Sequence, residues 1–504
     1  MLSKNRFNMP GLFKNYLYAL LALTIAAPLW AADKYVHVTL LHMNDVYEIT
    51  PVSGGKAGGL ARVATLRKQL LAKNPNTLTL IGGDFFSPSA MGTAKVSGER
   101  LAGKQMVAVL NALAIDYATF GNHEFDVTRE QFYQRMEESQ FNWVSSNVFD
   151  EANKAFPKVK LNKTLAFKNN AGDTFKIGLF GLTLDSNKKD YVTYTDALSV
   201  ADKQAKVLKE HADFVLALTH QSIQDDVRMV KQTKEIDLVL GGHEHENYQR
   251  WRGNNVPILK ADGNARSVYV VELYHNPESG KTRIEPSLVF IDDTLEDDPA
   301  VNKVVNEWVD IVYQAFRDQG LDPNEIVTTI AQPLDGLEST VRTQSSNLTE
   351  LIARSMLRPY NEAQAAIFNG GAIRIDDYIN AGPVSVYDII RALPFGGEIV
   401  LVEIQGDVLL SALDQGLSNT GSGGFLQWAN ISHENGHWKI NKNTISRDEK
   451  YKVAMLDFLL TGRETGLTYL TPENAGITVL NSGAGTDIRR LVADQLKDGN
   501  SSDL

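Results

Sequence analysis

Gly121-Asn122-His123-Glu124-Phe125-Asp126 follows the apolar run Tyr117-Ala118-Thr119-Phe120, so it stands where a short buried strand ends. Asn122 offers an amide oxygen that can ligate a hard or borderline metal ion. The next side chain, His123, points elsewhere and is free to act on a substrate. Asp126, three residues on, can accept a hydrogen bond from the His123 ring and fix its tautomer. Alone, Gly-Asn-His is also an ordinary turn. Its meaning depends on whether the chain supplies more ligands at equivalent places.

It does so four more times. Residues 36–41 are an apolar run that leads into His42-Met43-Asn44-Asp45-Val46-Tyr47, and residues 77–81 lead into Gly82-Gly83-Asp84. Residues 214–218 end at Thr219-His220, and residues 236–240 end at Gly241-Gly242-His243-Glu244-His245. A single buried histidine at a strand end is usually just hydrogen-bonded. Five endings in one half of the chain, supplying Asp, Asp, Asn, His and a His-x-His pair, point to a metal centre. An amphipathic helix (Val63, Leu66, Leu70 and Leu71 on one face) separates the first two runs. Alternation of this kind predicts an α/β fold with parallel strand pairs, whose sites gather at strand carboxyl ends.

The 504 residues imply two domains and a connecting element. An apolar share of 43% and a charged share of 22% are those of a globular protein. Net charge is −11, and because the first 31 residues hold Lys4, Arg6 and Lys14 but no acid, the remainder carries −14. Such a body is a poor partner for nucleic-acid polymers, so an anionic substrate must be drawn by local positive charge. With no cysteine, disulfides, a thiol nucleophile, thiolate metal sites and a lipidated N-terminal cysteine are excluded. Residues 1–31 read as a secretory signal: basic residues, an apolar stretch over 17–27, then Pro28-Leu29-Trp30-Ala31-Ala32. The apolar part is short for a membrane span. The expectation is export to the periplasm or the extracellular space, with no stable membrane insertion after cleavage.

A first domain is expected over residues 33–292. The acidic stretch from Asp292 to Pro299 and a helix with Val301, Val304, Val305, Trp308, Ile311, Val312, Ala315 and Phe316 on its apolar face form a connector over 293–322. A second α/β domain covers 323–504. There Asn369-Gly370-Gly371-Ala372-Ile373-Arg374 is a glycine turn that lets backbone approach a ligand. Arg342 precedes an expected helix over 347–357. Two apolar pieces end in Leu393-Pro394-Phe395-Gly396-Gly397 and Met455-Leu456-Asp457-Phe458. Residue physics alone assigns both phenylalanines to the core.

These motifs, in this order, resemble the two-domain 5′-nucleotidase family of calcineurin-like metallophosphoesterases. The resemblance rests on Asn44-Asp45, Gly83-Asp84, Gly121-Asn122-His123-Glu124, His220 and Gly242-His243-Glu244-His245 in the first half. In the second it rests on Asn369 to Arg374, Pro394-Phe395-Gly396-Gly397 and Ser422-Gly423-Gly424-Phe425-Leu426-Gln427. It implies a four-layer αββα catalytic sandwich, a linker helix and a C-terminal α/β substrate-binding domain. By the same resemblance one metal ion is held by Asp45, Asp84 and His245, and another by Asp84, Asn122, His220 and His243. Two divalent ions are implied, from Mn, Zn, Co or Fe, with a metal-activated hydroxide attacking phosphorus. His123, oriented by Asp126, would assist that step. Arg342, Arg374 and Asn369 would contact a nucleotide, and Phe395 and Phe458 would stack on its base. The expected substrate is a nucleoside 5′-monophosphate, with nucleotide sugars, di- and triphosphates or 2′,3′-cyclic nucleotides also in range.

Three positions depart from the family pattern. Tyr47 stands where the family usually has a metal-binding histidine. A phenol can ligate as phenolate, but its oxygen lies farther from the backbone than an imidazole nitrogen; the alternatives are a Tyr47 ligand or an ion that keeps three protein ligands plus water. Ala372 replaces a glycine. Near the C-terminus, Thr461-Gly462-Arg463-Glu464-Thr465-Gly466 replaces a Gly-Gly-Asp-Gly turn whose acid holds ribose hydroxyls, with Glu464 as the candidate replacement. Two rival readings are a thiohydrolase of the same superfamily acting on a carrier-bound sulfur substrate, and a nucleotide-binding protein without catalysis.

Overall fold

The computed structural model describes residues 34–252 and 256–499. The signal reading of residues 1–31 lies outside them. The first half is built on two sheets. One has seven strands, in the spatial order Lys281–Phe290, Ser267–Asn276, Val36–Met43, Thr77–Ile81, Tyr117–Ala118, Asn142–Val144 and Val159–Lys160. From Val36–Met43 to Val159–Lys160 the neighbours are parallel. The other has six strands, in the order Tyr248–Arg252, Val256–Lys260, Leu238–Gly242, Phe214–His220, Thr174–Thr183 and Asn162–Lys168, and its four central strands are parallel.

The two sheets bury one face of each against the other. Val36, Val38 and Leu40 meet Phe175, Ile177, Leu179, Leu216 and Leu218 in one cluster. Helices cover the outer faces. Ala197–Lys209 and Ile223–Gln232 lie on the six-stranded sheet. Leu60–Lys73, Lys104–Leu113 and Arg129–Glu138 lie on the seven-stranded one. The result is four layers, helix-sheet-sheet-helix. Strands covered on both faces explain why their sequences are unbroken apolar runs rather than alternating ones.

The helix Pro299–Asp318 starts as its sequence dictates. Asp298 accepts the N–H groups of Ala300 at 3.2 Å and Val301 at 3.1 Å, and Pro299 occupies the first turn, where its missing donor costs nothing. Val301, Val305, Val312, Ala315 and Phe316 are buried. Ile311 is not: at 40% exposure it lies beside the buried stripe, which is narrower than the spacing suggests. The same apolar cluster continues without a break from the first-half helices through this helix to Leu348, Ile352 and Ile390 of the second half.

The second half centres on five strands, in the order Leu426–Ala429, Ala365–Asn369, Lys450–Leu456, Ile399–Gln405 and Ile477–Asn481. Ala365–Asn369 and Lys450–Leu456 are parallel neighbours, so their carboxyl ends open on the same edge. The helix expected over 347–357 is Asn347–Ser355, started by a capping box between Ser346 and Thr349. Among the described residues no helix is long and apolar enough to cross a membrane.

Candidate metal centre and nucleotide cleft

Each of the two facing sheets sends three ligand-type side chains to one spot. Asp45, Asp84 and Asn122 follow strands of the seven-stranded sheet. His220 ends a strand of the six-stranded sheet, and His243 and His245 follow another. The loops carrying them are bent into conformations that side-chain residues seldom adopt, with φ of +52° at Asp45, +56° at Asp84 and +87° at His243. Strain of this kind persists only where the surroundings fix it, and it concentrates at functional sites. Glu124 is one such fixture. Its buried carboxylate accepts the N–H groups of Asp84, Phe85, Phe86 and Gly121 at 2.8, 2.7, 3.1 and 2.5 Å, clamping two ligand loops together. Burial, reinforced by the nearby Asp84 charge, lifts its pKa to about 7. Gly121 has to be glycine, because a Cβ there would stand 2.1 Å from Oδ1 of Asp84.

The donor atoms converge as a cation would require. Asp45, Asp84 and His220 each offer an atom within 4.8 Å of the other two, all buried. His220 donates from Nδ1 to the Gly82 carbonyl at 2.7 Å. In the neutral ring its Nε2 then presents a lone pair to Oδ2 of Asp84 at 3.2 Å and Oδ1 of Asp45 at 3.9 Å. Acceptor facing acceptor calls for a cation between them. Without a metal ion a proton must serve: burial would lower the His220 pKa, but Asp84 and Asp45 overcome it and push it to about 10. The buried amide oxygen of Asn122 and Nε2 of His220 have no hydrogen-bond partner, as expected of metal ligands. The residues therefore fit the divalent ions that calcineurin-like phosphoesterases use. His243 packs edge-on against His220, and burial with that neighbour's charge holds its pKa down to about 3.

Tyr47 reaches farther than its sequence position suggests. Its hydroxyl lies 3.3 Å from Oδ1 of Asp45, 3.3 Å from Oδ2 of Asp84 and 3.1 Å from Nε2 of His245. Burial, with Asp84 and Asp45 alongside, raises its pKa well above the ordinary phenol value. The phenol oxygen thus lies within hydrogen-bond distance of Asp45, Asp84 and His245, despite its greater distance from the backbone. Asn264 makes this possible by accepting the Tyr47 backbone N–H at 2.9 Å and holding the strand end in place.

His123 stands beside the cluster. Its ring Nδ1 is 2.6 Å from Oδ2 of Asp126, and its backbone N–H donates to Oδ1 of Asp84 at 2.7 Å. Burial lowers the ring's pKa, yet Asp84 and Asp126 outweigh it and the net shift is upward. Asn187 completes the arrangement, donating to Oδ1 of Asp126 at 2.9 Å and to the Asn122 carbonyl at 3.2 Å. Sequence reasoning missed Asn187. It follows a sixth apolar strand, Thr174–Thr183, whose polar ending Asp185-Ser186-Asn187 was a usable signal.

The second domain faces this cluster. Tyr47, Glu48 and Asn264 line one wall of a cleft, and Arg374, Arg391 and Pro394 line the other. The Arg374 guanidinium lies over the Phe395 ring at 5.6 Å, and its charge is felt at His123. Arg342 ion-pairs with Glu338, and Nε of both Arg342 and Arg374 is buried without a partner. Phe395 is 41% exposed and Phe458 is 37% exposed, which rules out the core role that residue physics assigns them. Their loops touch, since Asp457 donates its N–H to the Glu398 carbonyl at 2.9 Å. Glu464 is buried beside Asn369, accepting from its amide at 2.9 Å, while the amide oxygen of Asn369 is left free. Glu464 and Asn369, distant in the sequence, are thus brought together. Also missed was Asp376, whose carboxylate crosses from the second domain to His245 at 2.5 Å.

Known proteins resemble the chain along most of its length. The calcineurin-like phosphoesterase family model matches residues 38–247, and the 5′-nucleotidase C-terminal domain model matches residues 326–471. The trifunctional nucleotide phosphoesterase of Bacillus subtilis is 27% identical over 87% of this chain, which spans only 33% of that longer protein. Human 5′-nucleotidase is 25% identical, over 88% of this chain and 86% of its own. In fold, the 5′-nucleotidase precursor of Thermus thermophilus superposes with a TM-score of 0.74 at 22% identity, covering 92% of this chain and 96% of that one. With both halves matched in this order, the chain belongs to the calcineurin-like phosphoesterases that carry a 5′-nucleotidase C-terminal domain.

Proposed function

We propose that the protein is an exported phosphomonoesterase that releases phosphate from nucleoside 5′-monophosphates at a dinuclear metal centre. Nucleotide sugars, di- and triphosphates and 2′,3′-cyclic nucleotides fall within its range. One ion would be held by Asp45, Asp84 and His245 with Tyr47 at hand. The other would be held by Asn122, His220 and His243, with Asp84 shared. Carboxylate, amide, imidazole and phenol donors suit Mn, Zn, Co or Fe. Bound ions of this kind withdraw charge from phosphoryl oxygens and make water nucleophilic near neutral pH.

The chain's own groups would do the rest. Asp126 fixes the His123 ring through Nδ1, leaving Nε2 to hold a proton for the departing 5′ oxygen or to stabilise charge on the phosphoryl group. Arg342 and Arg374 bring half-buried guanidinium groups, each with an unpartnered Nε, suited to a phosphate. Phe395 and Phe458, both partly exposed, would stack on a base, at about 1–3 kcal/mol per stacked base. Asn369 and Glu464 supply hydrogen-bonding groups for sugar hydroxyls.

The observation that carries this reading is a buried, cation-demanding cluster of Asp45, Asp84 and His220 in contact with Tyr47, which lines a cleft whose other wall carries Arg374, itself over the Phe395 ring. The exposed rings argue against a carrier-bound sulfur substrate, which needs a tunnel instead. The complete donor set and the His123–Asp126 pair argue against a binding protein without catalysis. The test is phosphate release from a nucleotide panel by the purified protein, before and after chelation. Release from AMP that vanishes on chelation and returns with Mn²⁺ or Zn²⁺ supports it, whereas inertness toward every nucleotide with metal bound refutes it.

A further inference from the structure

Asp376 belongs to the second domain, two residues beyond Arg374, yet its carboxylate serves the first domain's cluster. Its Oδ2 lies 2.5 Å from Nδ1 of His245. The other nitrogen of that ring, Nε2, faces the Tyr47 hydroxyl at 3.1 Å and Oδ1 of Asp45 at 3.7 Å. One imidazole thus bridges the ligand cluster and the neighbouring domain.

Asp376 is held for this contact. Its Oδ1 accepts the backbone N–H of Glu338 at 2.8 Å, and its carbonyl accepts from Arg266 at 3.1 Å. Its φ of +40° is one that a residue with a Cβ keeps only under such constraint. The adjacent contacts cross the same boundary. Arg266 pairs with Asp377 at 3.2 Å, and the Ser53 hydroxyl donates to Asp377 at 3.1 Å.

A carboxylate on the far nitrogen of a metal-ligating imidazole fixes its tautomer, aims its lone pair and raises its basicity. Losing such a partner typically costs 10–100-fold in metal affinity. Here the carboxylate comes from the domain that also carries Arg374. A contact that exists only when the domains meet, and that strengthens a metal ligand, obeys linkage: the ion must favour the meeting by the factor with which the meeting favours the ion.

We propose that Asp376 is a positioning residue that couples occupancy of the His245-side metal position to the docking of the second domain on the first. This rests on Asp45, Asp84 and His245 being metal ligands. The first domain alone then holds that ion weakly, and the centre is completed by the domain that presents the substrate.

The test uses the whole protein, stripped with chelator and titrated with Mn²⁺ by calorimetry, in wild type and in the Asp376→Asn and Asp376→Ala forms. Ser53→Ala, which breaks a neighbouring cross-domain contact without touching His245, is the control. Amide exchange over 374–378 is followed with and without Mn²⁺. The expected result is two Mn²⁺ sites in wild type, with one weakened about 10–100-fold by either Asp376 substitution and the other unchanged. Ser53→Ala, which loosens docking without touching His245, should weaken that same site by less than either Asp376 substitution and leave the other unchanged. Mn²⁺ should slow exchange over 374–378 in wild type but not in Asp376→Ala. If Asp376→Ala does not fold, the isosteric Asp376→Asn carries the comparison. Unchanged affinities in the folded Asp376 variants, or exchange over 374–378 that ignores Mn²⁺ in wild type, overturn the coupling while leaving the ligand assignment intact. A wild-type protein that binds no Mn²⁺ overturns both.

Discussion

The Tyr47 hydroxyl lies 3.1 Å from Nε2 of His245, beside the buried cluster of Asp45, Asp84 and His220. Asp45 and Asp84 are each 3.3 Å from the same phenol oxygen, and the proposed ligand set gives it a place beside the first ion. Tyr47→Phe is therefore expected to weaken one metal site at least about 10-fold, the loss that even an outer partner of a ligand produces. Protein loaded with ferric iron should show a visible tyrosinate band that Tyr47→Phe abolishes. Equal Mn²⁺ affinity in both proteins and a colourless ferric form would reduce Tyr47 to a hydrogen-bond donor.

His123 is fixed by Asp126 at 2.6 Å and touches the ligand cluster only through its backbone N–H. His123→Ala should keep both ions and lose about 10²–10⁴-fold in kcat, the usual worth of a positioned acid or base. Asp126→Asn should lose less. Metal content measured on the purified variants decides the matter, because loss of an ion in His123→Ala would make the ring a ligand.

Phe395 and Phe458 are partly exposed beside joined loops. Truncating either to Ala should raise KM for AMP by roughly 5–150-fold, the equivalent of about 1–3 kcal/mol of stacking. Turnover of a small aryl phosphate, which offers no nucleobase, should barely change. Equal losses on both substrates together with a lower Tm would make them packing residues after all.

Under the proposed ligand set, protons and metal ions compete for His220 and His245. In the metal-free protein burial would lower the pKa of His220 and His245, but their carboxylate neighbours raise them to about 10 and about 9. A histidine with a raised pKa contributes its stability in full below the unfolded value near 6.5, and loses it as pH climbs through the folded value. The chelated protein should therefore lose Tm between pH 7 and pH 10. Over the lower part of that range Mn²⁺ affinity should rise, with protons released on binding. Calorimetry in buffers of different ionisation enthalpy reads the proton count, and a pH-independent affinity would contradict the shared histidines.

Much of the fold could be read because its signals are local. Apolar runs ending in Asp45, Asp84, Asn122, His220 and His243 mark parallel strands, and the acids before Pro299 mark the helix start. The cluster itself could be read because each ligand type stands at a strand end. What could not be read depends on partners far away in the chain. Glu124 stands within the decisive stretch, but nothing nearby tells that it clamps Asp84 to Gly121. The Asp376–His245 contact joins two domains, and the reach of Tyr47 follows from a left-handed turn at Asp45 and an amide supplied by Asn264. Exposure is similarly non-local: Phe395 and Phe458 look like core residues in sequence and stand open in the structure.

The most direct measurement is phosphate release from AMP by the purified protein, assayed as isolated, after chelation, and after return of Mn²⁺ or Zn²⁺. A metal-dependent nucleotidase loses activity on chelation and recovers it with the ion, and its Asp84→Asn form recovers nothing. Undiminished release after exhaustive chelation, or no release from any nucleotide with two ions bound, would contradict the assignment of this cluster and cleft to nucleotide hydrolysis.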